Sequence, residues 1–300
     1  RRQRQMCIRD RSHSLFGKRI IPIGTVYDTF VHRGLDALNY ACYQDARFMI
    51  VGTPSGVTLA PEGGAHQSIG TPLTGMAQDG LASFEPAFAD ELAVIMEWAL
   101  DYLQRNGNSD RDCRTWLRDE TGGSVYLRLT TAPLEQPGKR VDDAFRQGAV
   151  DGAYWLRKPG PNCDIVIAYQ GAVAQEAIAA AGQLADTRRD VGVLAVTSAD
   201  RLNAGWMAAQ RARVRGNTAA RAHIETLLRD LPSTCSIVTV IDGHPAALSW
   251  LGSVAGHCAV SLGVEHFGQT GSIQDLYRHF GIDQSSILTA INGLTAGRPL

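Results

Sequence analysis

Apolar residues along the chain follow two patterns, which together predict alternating strands and helices. Continuous apolar runs are typical of strands buried in parallel sheets, and they predict strands at 19–24, 47–52, 81–86, 124–131, 191–198, 235–242 and 257–265, with two more around a Pro-Gly turn within 152–170. Helical spacing predicts helices at 27–45, 86–105, 171–186, 217–230 (N-cap Asn217 or Thr218), 244–255, 272–280 and 283–292. This alternation in both halves predicts an α/β fold with parallel sheets.

Residues 131–143 (TAPLEQPGKRVDD) differ in composition from the segments on either side. Two prolines, a glycine and mixed charges suit a linker between domains, and 300 residues are enough for two domains. We therefore predict one domain at 13–140 and a second at 145–300. Acidic residues at positions 142, 143 and 151 are interpreted as solvated acids of the linker region.

Residues 1–12 have neither an apolar period nor a helix cap, and we exclude them from the predicted fold. One interpretation is a disordered basic tail. We favour the other, in which MCIRDR is the translation of a sequencing adapter joined to a truncated gene. In that case the natural protein continues upstream, and the chain is a fragment of it.

The composition is that of a globular protein, with 44% hydrophobic and 20% charged residues. No apolar run approaches the ~20 residues that a membrane-spanning helix needs. Residues 1–12 hold five arginines and one acid, which leaves 24 basic and 29 acidic residues in the other 288. This acidic excess argues against nucleic acid as a partner.

Six cysteines are scattered along the chain without the C-x-x-C spacing of a zinc or redox site. Four lie in apolar stretches and are expected to be buried free thiols: Cys42, Cys163, Cys235 and Cys258. Free thiols suit a reducing compartment. Because the start of the chain has no secretory apolar region, we expect a cytoplasmic protein.

Candidate chemistry concentrates in GTPSGVTLAPEGGAHQS (52–68), which directly follows a predicted buried strand. Ligands of open α/β sheets bind beyond the carboxyl ends of strands. His66 lies there, four residues after Glu62, and a histidine can move protons near neutral pH. The spacing by itself does not distinguish a catalytic histidine from an ordinary loop histidine, and it favours the ordinary one. Dinucleotide, P-loop, nucleophile-elbow and metal-ligand motifs are missing from the sequence.

The stretch EGGAHQS (62–68) resembles the E-D/G-G-x-x-H-Q loop in the pyrimidine-binding domain of thiamine-diphosphate enzymes of the transketolase superfamily. Residues 83–103 are similar to the following strand and helix of homodimeric pyruvate dehydrogenase. Residues 196–206 and 263–283 are similar to the carboxy-terminal domain of that family. The resemblance implies an amino-terminally truncated pyrimidine-binding domain at 13–140 and a transketolase carboxy-terminal domain at 145–300.

The resemblance also implies a function, which is oxidative decarboxylation of a 2-oxo acid, pyruvate in the first instance. It implies thiamine diphosphate and Mg²⁺ as cofactors, a homodimer with the cofactor at its interface, and transfer of the acyl group to a lipoyl-bearing acyltransferase of a multienzyme complex. The cofactor carries the chemistry in such enzymes, and the protein positions it. Two alternatives stay open: ketol transfer of the transketolase type, and a non-catalytic binding or assembly module.

The resemblance assigns roles to individual residues. Phe30, in IIPIGTVYDTF, falls at the position that stacks on the pyrimidine ring, and Tyr27 is the aromatic residue before it. His66 falls at the histidine that contacts substrate or the acyl intermediate. Glu62 and Gly63 belong to the same cofactor-binding loop. Without the resemblance, Phe30 would be interpreted as part of a helix core.

Other parts of the implied site are missing from the sequence. The glutamate that activates the pyrimidine, and the motif that holds the diphosphate and Mg²⁺, are expected outside this chain. IDGHPA (241–246) contains only an isolated Asp-Gly, and His244, His257 and His266 are interpreted as structural. The loop also runs HQSIGTP where relatives carry a further histidine and acids. We therefore predict no metal ligands here and no activity for the chain by itself.

Overall fold

Two β-sheets with helices packed against them make up the computed structural model, which describes residues 12–107, 117–138, 141–186 and 190–296. The strands are β1 (Ile23–Val26), β2 (Met49–Gly52), β3 (Leu81–Phe84), β4 (Ser124–Arg128), β5 (Ala153–Arg157), β6 (Ile165–Gln170), β7 (Val191–Val196), β8 (Ser236–Ile241) and β9 (Cys258–Leu262). Strands β1 to β4 form one sheet, and β5 to β9 form the other. The predicted α/β class is confirmed.

The first sheet is parallel throughout, as predicted, with the strand order β1-β2-β4-β3. Strand β1 begins at Ile23 and not at residue 19, since Arg19 N donates to Gln104 Oε1 over 2.9 Å instead of to a neighbouring strand. In this order β1 is an edge strand, and its first three residues are exposed.

The second sheet is mixed, with the order β5-β7-β6-β8-β9. Strand β5 runs antiparallel to β7, while the remaining pairs are parallel. The prediction of a parallel sheet was therefore wrong at this edge. Strand β6 is buried over its whole length, which suits a central position, whereas β5 is buried only at its start. The two strands around the Pro-Gly turn are consequently separated by β7.

After a short helical segment at 12–16, nine further α-helices lie in the described residues: α1 (Leu35–Tyr43), α2 (Thr71–Ala77), α3 (Ala89–Tyr102), α4 (Asp143–Asp151), α5 (Ala174–Asp186), α6 (Ala199–Val214), α7 (His223–Leu228), α8 (Ile273–His279) and α9 (Gln284–Thr295). Short 3₁₀ helices occur at Asp28–Gly34, Val57–Leu59, Gly171–Val173, Pro245–Ala247 and Ser249–Ser253. Helices α3, α5, α8 and α9 match predicted segments to within a few residues.

Helices α2, α4 and α6 were not predicted, although each carries a local start signal. Pro72 lies in the first turn of α2, where a helix tolerates proline. The Asp142 carboxylate accepts from Phe145 N over 2.9 Å and caps α4, so Asp142 is exposed as expected but belongs to a helix start. Ser198 Oγ accepts from Arg201 N over 3.0 Å and caps α6.

Three predicted helices were partly wrong. The segment 27–45 is divided at Gly34 into a 3₁₀ helix and α1. Helix α7 begins at His223, so neither Asn217 nor Thr218 caps it; Glu225 accepts from Ala222 N over 2.8 Å instead. The segment 244–255 forms two 3₁₀ helices, the first with Pro245 in its first turn.

Each sheet is covered by helices through buried apolar side chains. In the first half, α3 packs on the sheet through a cluster formed by Met49, Phe84, Ile95, Ala99, Val125 and Leu127. One face of the second sheet packs on α5 and α9, and the other packs on α6. The second sheet is therefore buried on both faces, which explains its nearly continuous apolar strands.

The carboxyl ends of both sheets meet at a junction between the two halves of the chain. Beyond β3, Glu85 N donates to Thr197 O over 2.8 Å, and Ser198 Oγ donates to Ser83 O over 2.6 Å. Gln170 Nε2, at the end of β6, donates to Glu85 Oε2 over 2.9 Å. Loops that follow strands commonly carry sites in α/β folds, so this junction is where the halves can contribute to one site.

Cys42, Cys163 and Cys235 are buried as predicted, but Cys258 is exposed. The prediction for Cys258 was wrong because this residue begins β9, an edge strand. No helix among the described residues is both long enough and apolar enough to cross a membrane.

Candidate functional site

The segment between β2 and α2 (53–70, the site loop) is folded back on itself by hydrogen bonds. Gly56 N donates to Ser68 Oγ over 3.1 Å, and Gln67 Nε2 donates to Ala60 O over 3.0 Å. Ser55 Oγ donates to Leu129 O over 2.9 Å and ties the loop to the segment after β4. The predicted loop is therefore confirmed, and it lies at the carboxyl end of the first sheet.

One carboxylate from the second half of the chain holds the start of the site loop. Asp242, which follows β8, accepts from Val57 N over 2.8 Å and from Thr58 N over 2.9 Å, and the Thr58 hydroxyl donates to the same carboxylate. Tyr277 OH lies 2.6 Å from Thr58 Oγ1. A buried carboxylate needs such donors, so these bonds satisfy Asp242 and join the loop to the second sheet.

Two glycines bring the site loop against residues 268–270. Gly63 and Gly64 have φ values of +67° and +59°, which favour glycine. Gly64 N donates to Gly268 O over 2.9 Å. A Cβ on Gly63 would lie 2.6 Å from Thr270 Oγ1 and 2.8 Å from Thr270 N. Gly63 is thus required for the path of the loop, while its role in binding a cofactor stays a prediction.

Three of the predicted site residues lie together beside this loop and form the ring cluster, Tyr27, Phe30 and His66. The ring centroids of Tyr27 and Phe30 are 5.5 Å apart, and the His66 centroid lies 6.1 Å from Tyr27 and 6.2 Å from Phe30. Thr29 Oγ1 donates to Ala65 O over 2.8 Å and fixes the two segments together. His66 is exposed and the other two rings are half-buried, so solvent reaches the cluster.

Phe30 does not belong to a helix core. The residue lies in the 3₁₀ helix Asp28–Gly34, and its ring lines a largely apolar groove of about 620 Å³ between β1, β2 and α1. The Arg33 guanidinium carbon lies 4.4 Å from the centroid of the Phe30 ring, a cation–π contact. The groove has the size of a small-molecule pocket, and Phe30 offers it a flat apolar surface.

Tyr27 and Glu62 are electrostatically linked. Burial and the neighbouring Glu62 carboxylate raise the pKa of the Tyr27 hydroxyl to about 12. The Tyr27 hydroxyl therefore keeps its proton at neutral pH and can act as a hydrogen-bond donor. Glu62 itself is exposed at the tip of the site loop.

Beneath the ring cluster lies a buried charge network (Asp28, Glu85, Arg128 and Asp242) that sequence analysis missed. Arg128 Nε lies 3.1 Å from Asp28 Oδ2, Arg128 Nη1 pairs with Glu85, and Arg128 Nη2 donates to Asp242 O over 2.9 Å. Asp28 also accepts from Thr71 Oγ1 over 2.7 Å and from the Ser68 and Tyr126 hydroxyls. Glu85, Arg128 and Asp242 each follow or end a buried strand, and a charge in such an apolar run was the available signal. Asp28 follows the edge strand β1 and carried no such signal.

Glu85 has a perturbed acidity within this network. Burial raises the pKa of its carboxyl from 4.5 to about 7, against the opposing effects of the Arg128 guanidinium and the Gln170 amide. Glu85 is only 4% exposed, so water weakens the electrostatic effects of its neighbours little. Protonation of Glu85 therefore falls within the neutral pH range.

The remaining candidates have structural contacts. His257 is buried, with Nδ1 2.9 Å from Cys235 O, and His244 Nδ1 accepts from Ala246 N over 3.2 Å. His266 is exposed. Within the described part of the chain, no three His, Cys, Asp or Glu side chains are arranged to hold a metal ion.

Residues 152–283 match the family described as the transketolase-like TK C-terminal domain. Residues 152–283 are therefore similar to a transketolase-like C-terminal domain, in the region where the resemblance of residues 196–206 and 263–283 implied one.

Curated relatives extend the similarity to both halves. The pyruvate dehydrogenase E1 component of Mycolicibacterium smegmatis is 27% identical over 288 residues, which are 93% of this chain and 29% of that protein. The same component of Escherichia coli K12 is 25% identical over 96% of this chain and 31% of its own length. Transketolase 2 of E. coli K12 is 22% identical over 70% of this chain and 28% of its own length. The chain thus spans less than a third of these relatives.

Solved transketolases share the fold. The enzyme from Leishmania mexicana superposes with a TM-score of 0.69 at 19% identity, over 93% of this chain and 35% of that one. An inactive β4 tetramer of a split-gene transketolase gives a TM-score of 0.63 at 17% identity, over 99% of this chain and 83% of that one. The predicted fold class is confirmed by both.

We expect Gly63→Ala to destabilise the protein more than Gly64→Ala. Both substitutions place a side chain in the left-handed region, at about 1–2 kcal/mol, but only the Cβ at position 63 meets Thr270. Gly63→Ala should therefore cost at least about 1 kcal/mol more in the free energy of unfolding. Urea unfolding of the two variants measures the difference. Equal losses would contradict the tight contact with residues 268–270.

We expect Glu85 to make stability depend on pH. Because its folded pKa of about 7 lies above the ordinary 4.5, the folded state holds a proton that the unfolded chain releases. Stability should fall on the order of 1–3 kcal/mol as pH rises from about 4.5 to 7. Glu85→Gln should remove this slope, whereas Glu97→Gln, at a surface ion pair with Arg146, should keep it. Unfolding curves at several pH values provide the measurement.

Proposed function

We propose that the chain is the pyrimidine-binding and carboxy-terminal portion of a thiamine-diphosphate-dependent 2-oxo acid dehydrogenase component, with pyruvate as substrate. The observation that carries the proposal is the ring cluster. It brings the ring centroids of Tyr27 and Phe30, which follow β1, within 6.2 Å of that of His66 in the site loop, and all three are predicted site residues. Similarity to pyruvate dehydrogenase E1 components over 93% of the chain supports it. The proposed complete protein is a homodimer that passes an acyl group to a lipoyl-bearing acyltransferase.

The residues present fit one part of the cofactor. Phe30 would hold the aminopyrimidine ring by stacking in the apolar groove, with the protonated Tyr27 hydroxyl beside it. His66 would hold or move a proton at the substrate from its exposed position. When bound, thiamine diphosphate supplies the carbanion-stabilising chemistry that decarboxylation of a 2-oxo acid requires. We place the groups for the diphosphate, Mg²⁺ and ring activation in parts of the protein outside this chain.

An amino-terminally truncated domain at 13–140 and a second domain at 145–300 are part of the proposal. Strand β1 pairs only with β2 among the described strands, and its outer edge is exposed. Ile20, Ile23, Tyr40 and Tyr43, each more than half exposed, lie on or beside the same edge and groove. Exposed apolar groups next to a free sheet edge are typical of a surface that another segment covers, which supports the truncated domain.

Ketol transfer of the transketolase type is the second candidate. Arg33 places an exposed guanidinium beside the ring cluster, and such a group suits the phosphate of a sugar substrate. The similarity of 70% of the chain to transketolase 2 of E. coli also favours it. The third candidate, a non-catalytic module, draws support from the inactive tetramer formed by the split-gene chain.

In the complete protein, Phe30→Ala should weaken the affinity for thiamine diphosphate about 2- to 10-fold, since a stacked aromatic contact contributes roughly 0.5–1.5 kcal/mol beyond its buried area. Cofactor titration and thermal melting of the same samples separate binding from folding. Val214→Ala removes an exposed apolar residue at the end of α6, away from the groove, and serves as the control. A large drop in melting temperature with unchanged affinity would assign Phe30 to packing alone.

His66→Ala in the complete protein should lower turnover about 10²- to 10⁴-fold, because a positioned proton-transfer group contributes that much. The affinity for the cofactor should change little. His279→Ala, at an exposed histidine at the end of α8, is the control. Steady-state turnover and cofactor titration measure both effects, and near-normal turnover would make His66 an ordinary loop residue.

The chain by itself should not decarboxylate pyruvate. Residues 13–300 would be purified and supplied with thiamine diphosphate, Mg²⁺, pyruvate and an artificial electron acceptor, with CO₂ release as the readout. The complete protein is the positive control, and a phosphorylated ketose donor with an aldose acceptor tests ketol transfer in parallel. Steady turnover by the chain would overturn the proposal that it holds only one wall of the site.

A further inference from the structure

Two buried cysteines of the second half lie side by side, away from the site loop. Cys163 and Cys235 are each 1% exposed, and their Sγ atoms are 3.9 Å apart. Cys163 lies two residues before β6, and Cys235 directly precedes β8. These strands are parallel neighbours, with Ile165 opposite Ser236. The two sulfurs therefore lie at the end of the second sheet where its parallel strands begin. The junction of the two halves lies at the opposite end, where these strands finish.

The backbone beside both cysteines is fixed by the sheet. Ser236 N donates to Asp164 O over 3.0 Å, so the residue after Cys163 is bonded to the residue after Cys235. Ile165 lies opposite Ser236, so Cys163 and Cys235 are offset by one residue along the strands. With strands ~4.8 Å apart and ~3.3 Å per residue, their Cα atoms are about 6 Å apart, a separation that a disulfide spans. Bond formation thus requires the sulfurs to approach by about 2 Å without separating or shifting the strands.

Each sulfur atom contacts the other sulfur and a backbone carbonyl oxygen. Cys163 Sγ lies 3.1 Å from Ile165 O and within contact of Cys235 Sγ. The hydrogen bond from Cys235 lowers the pKa of the Cys163 thiol, against the effect of burial. The thiolate is the form that reacts with oxidants, so Cys163 is the member of the pair that reacts first.

A short turn covers Cys163 and gives small molecules a route to it. Pro161 and Asn162, directly before Cys163, are exposed, and Cys163 N donates to Gly160 O over 3.3 Å. Because Cys163 itself is 1% exposed, we take this turn as the route by which a small molecule would reach its sulfur. A small, uncharged oxidant suits such a route better than a large disulfide reagent.

We propose that Cys163 and Cys235 form a dithiol modification site, which small peroxides oxidise to an intramolecular disulfide. The Cys163 thiolate attacks one peroxide oxygen and breaks the O–O bond, which gives a sulfenic acid and, after protonation, water. The Cys235 thiol then attacks the sulfenic sulfur, the S–S bond forms, and the hydroxyl leaves as a second water. Two thiols lose two electrons in total, and one hydrogen peroxide accepts them. The inference does not depend on the proposed function.

The test uses the whole reduced chain, treated with hydrogen peroxide in native buffer at neutral pH. Remaining thiols are then alkylated in urea, and the digest is analysed by mass spectrometry. We expect a cross-linked peptide pair that contains Cys163 and Cys235, with about 2 Da lost from the pair. Cys42, a single buried thiol, should stay alkylatable and is the internal control.

Variants separate this pair from general oxidation. Cys258→Ser removes an exposed thiol and should leave the cross-link unchanged. In Cys235→Ser the sulfenic acid on Cys163 should persist and react with dimedone, and circular dichroism checks that the variant is folded. The proposal fails if Cys163 and Cys235 are both fully alkylated after peroxide has oxidised Cys258. It also fails if the cross-link forms only when peroxide is added in urea.

Discussion

The burial of Arg128 between acidic groups is the interaction on which the junction of the two halves depends. Its guanidinium pairs with Asp28 and Glu85 from the first half and donates to the Asp242 carbonyl from the second. An unpaired charge in this place would be strongly unfavourable, and removing one partner of such a group typically costs about 3–5 kcal/mol. The three strand ends and the loop after β8 must therefore be in place together.

This network also determines where the candidate site lies. Asp28 directly follows Tyr27 and holds Ser68 and Thr71 at the end of the site loop, while Asp242 holds Val57 and Thr58 at its start. Both ends of the loop are thus attached to buried carboxylates. His66 lies between these attachments and is exposed. The buried groups position the loop, and the groups that can meet a ligand remain at the surface.

The free edge of β1 and the thiol pair belong to different sheets. The apolar groove beside Phe30 lies at the open edge of the first sheet. The two thiols lie at the amino-terminal edge of the second sheet, behind the strands whose carboxyl ends form the junction. The groove and the thiol pair consequently have no residue in common.

Sequence by itself determined most strands, the loop at 53–70 and the family resemblance, because apolar runs and glycine-rich motifs are local properties of a chain. Through that resemblance it also suggested roles for Phe30 and His66, and these roles stay predictions. Only the tertiary structure decided that β5 is an antiparallel edge strand. Strands that are buried over their whole length, such as β6, take the central places, and β5, which is buried only at its start, is left at the edge. Only the tertiary structure paired Arg128 with Asp28, Glu85 and the Asp242 carbonyl, because these groups are distant in sequence and meet where the strand ends converge. The tertiary structure also brings the sulfur atoms of Cys163 and Cys235 to within 3.9 Å of each other. These residues are neighbours because β6 and β8 are adjacent in the sheet, and their spacing along the chain does not predict this.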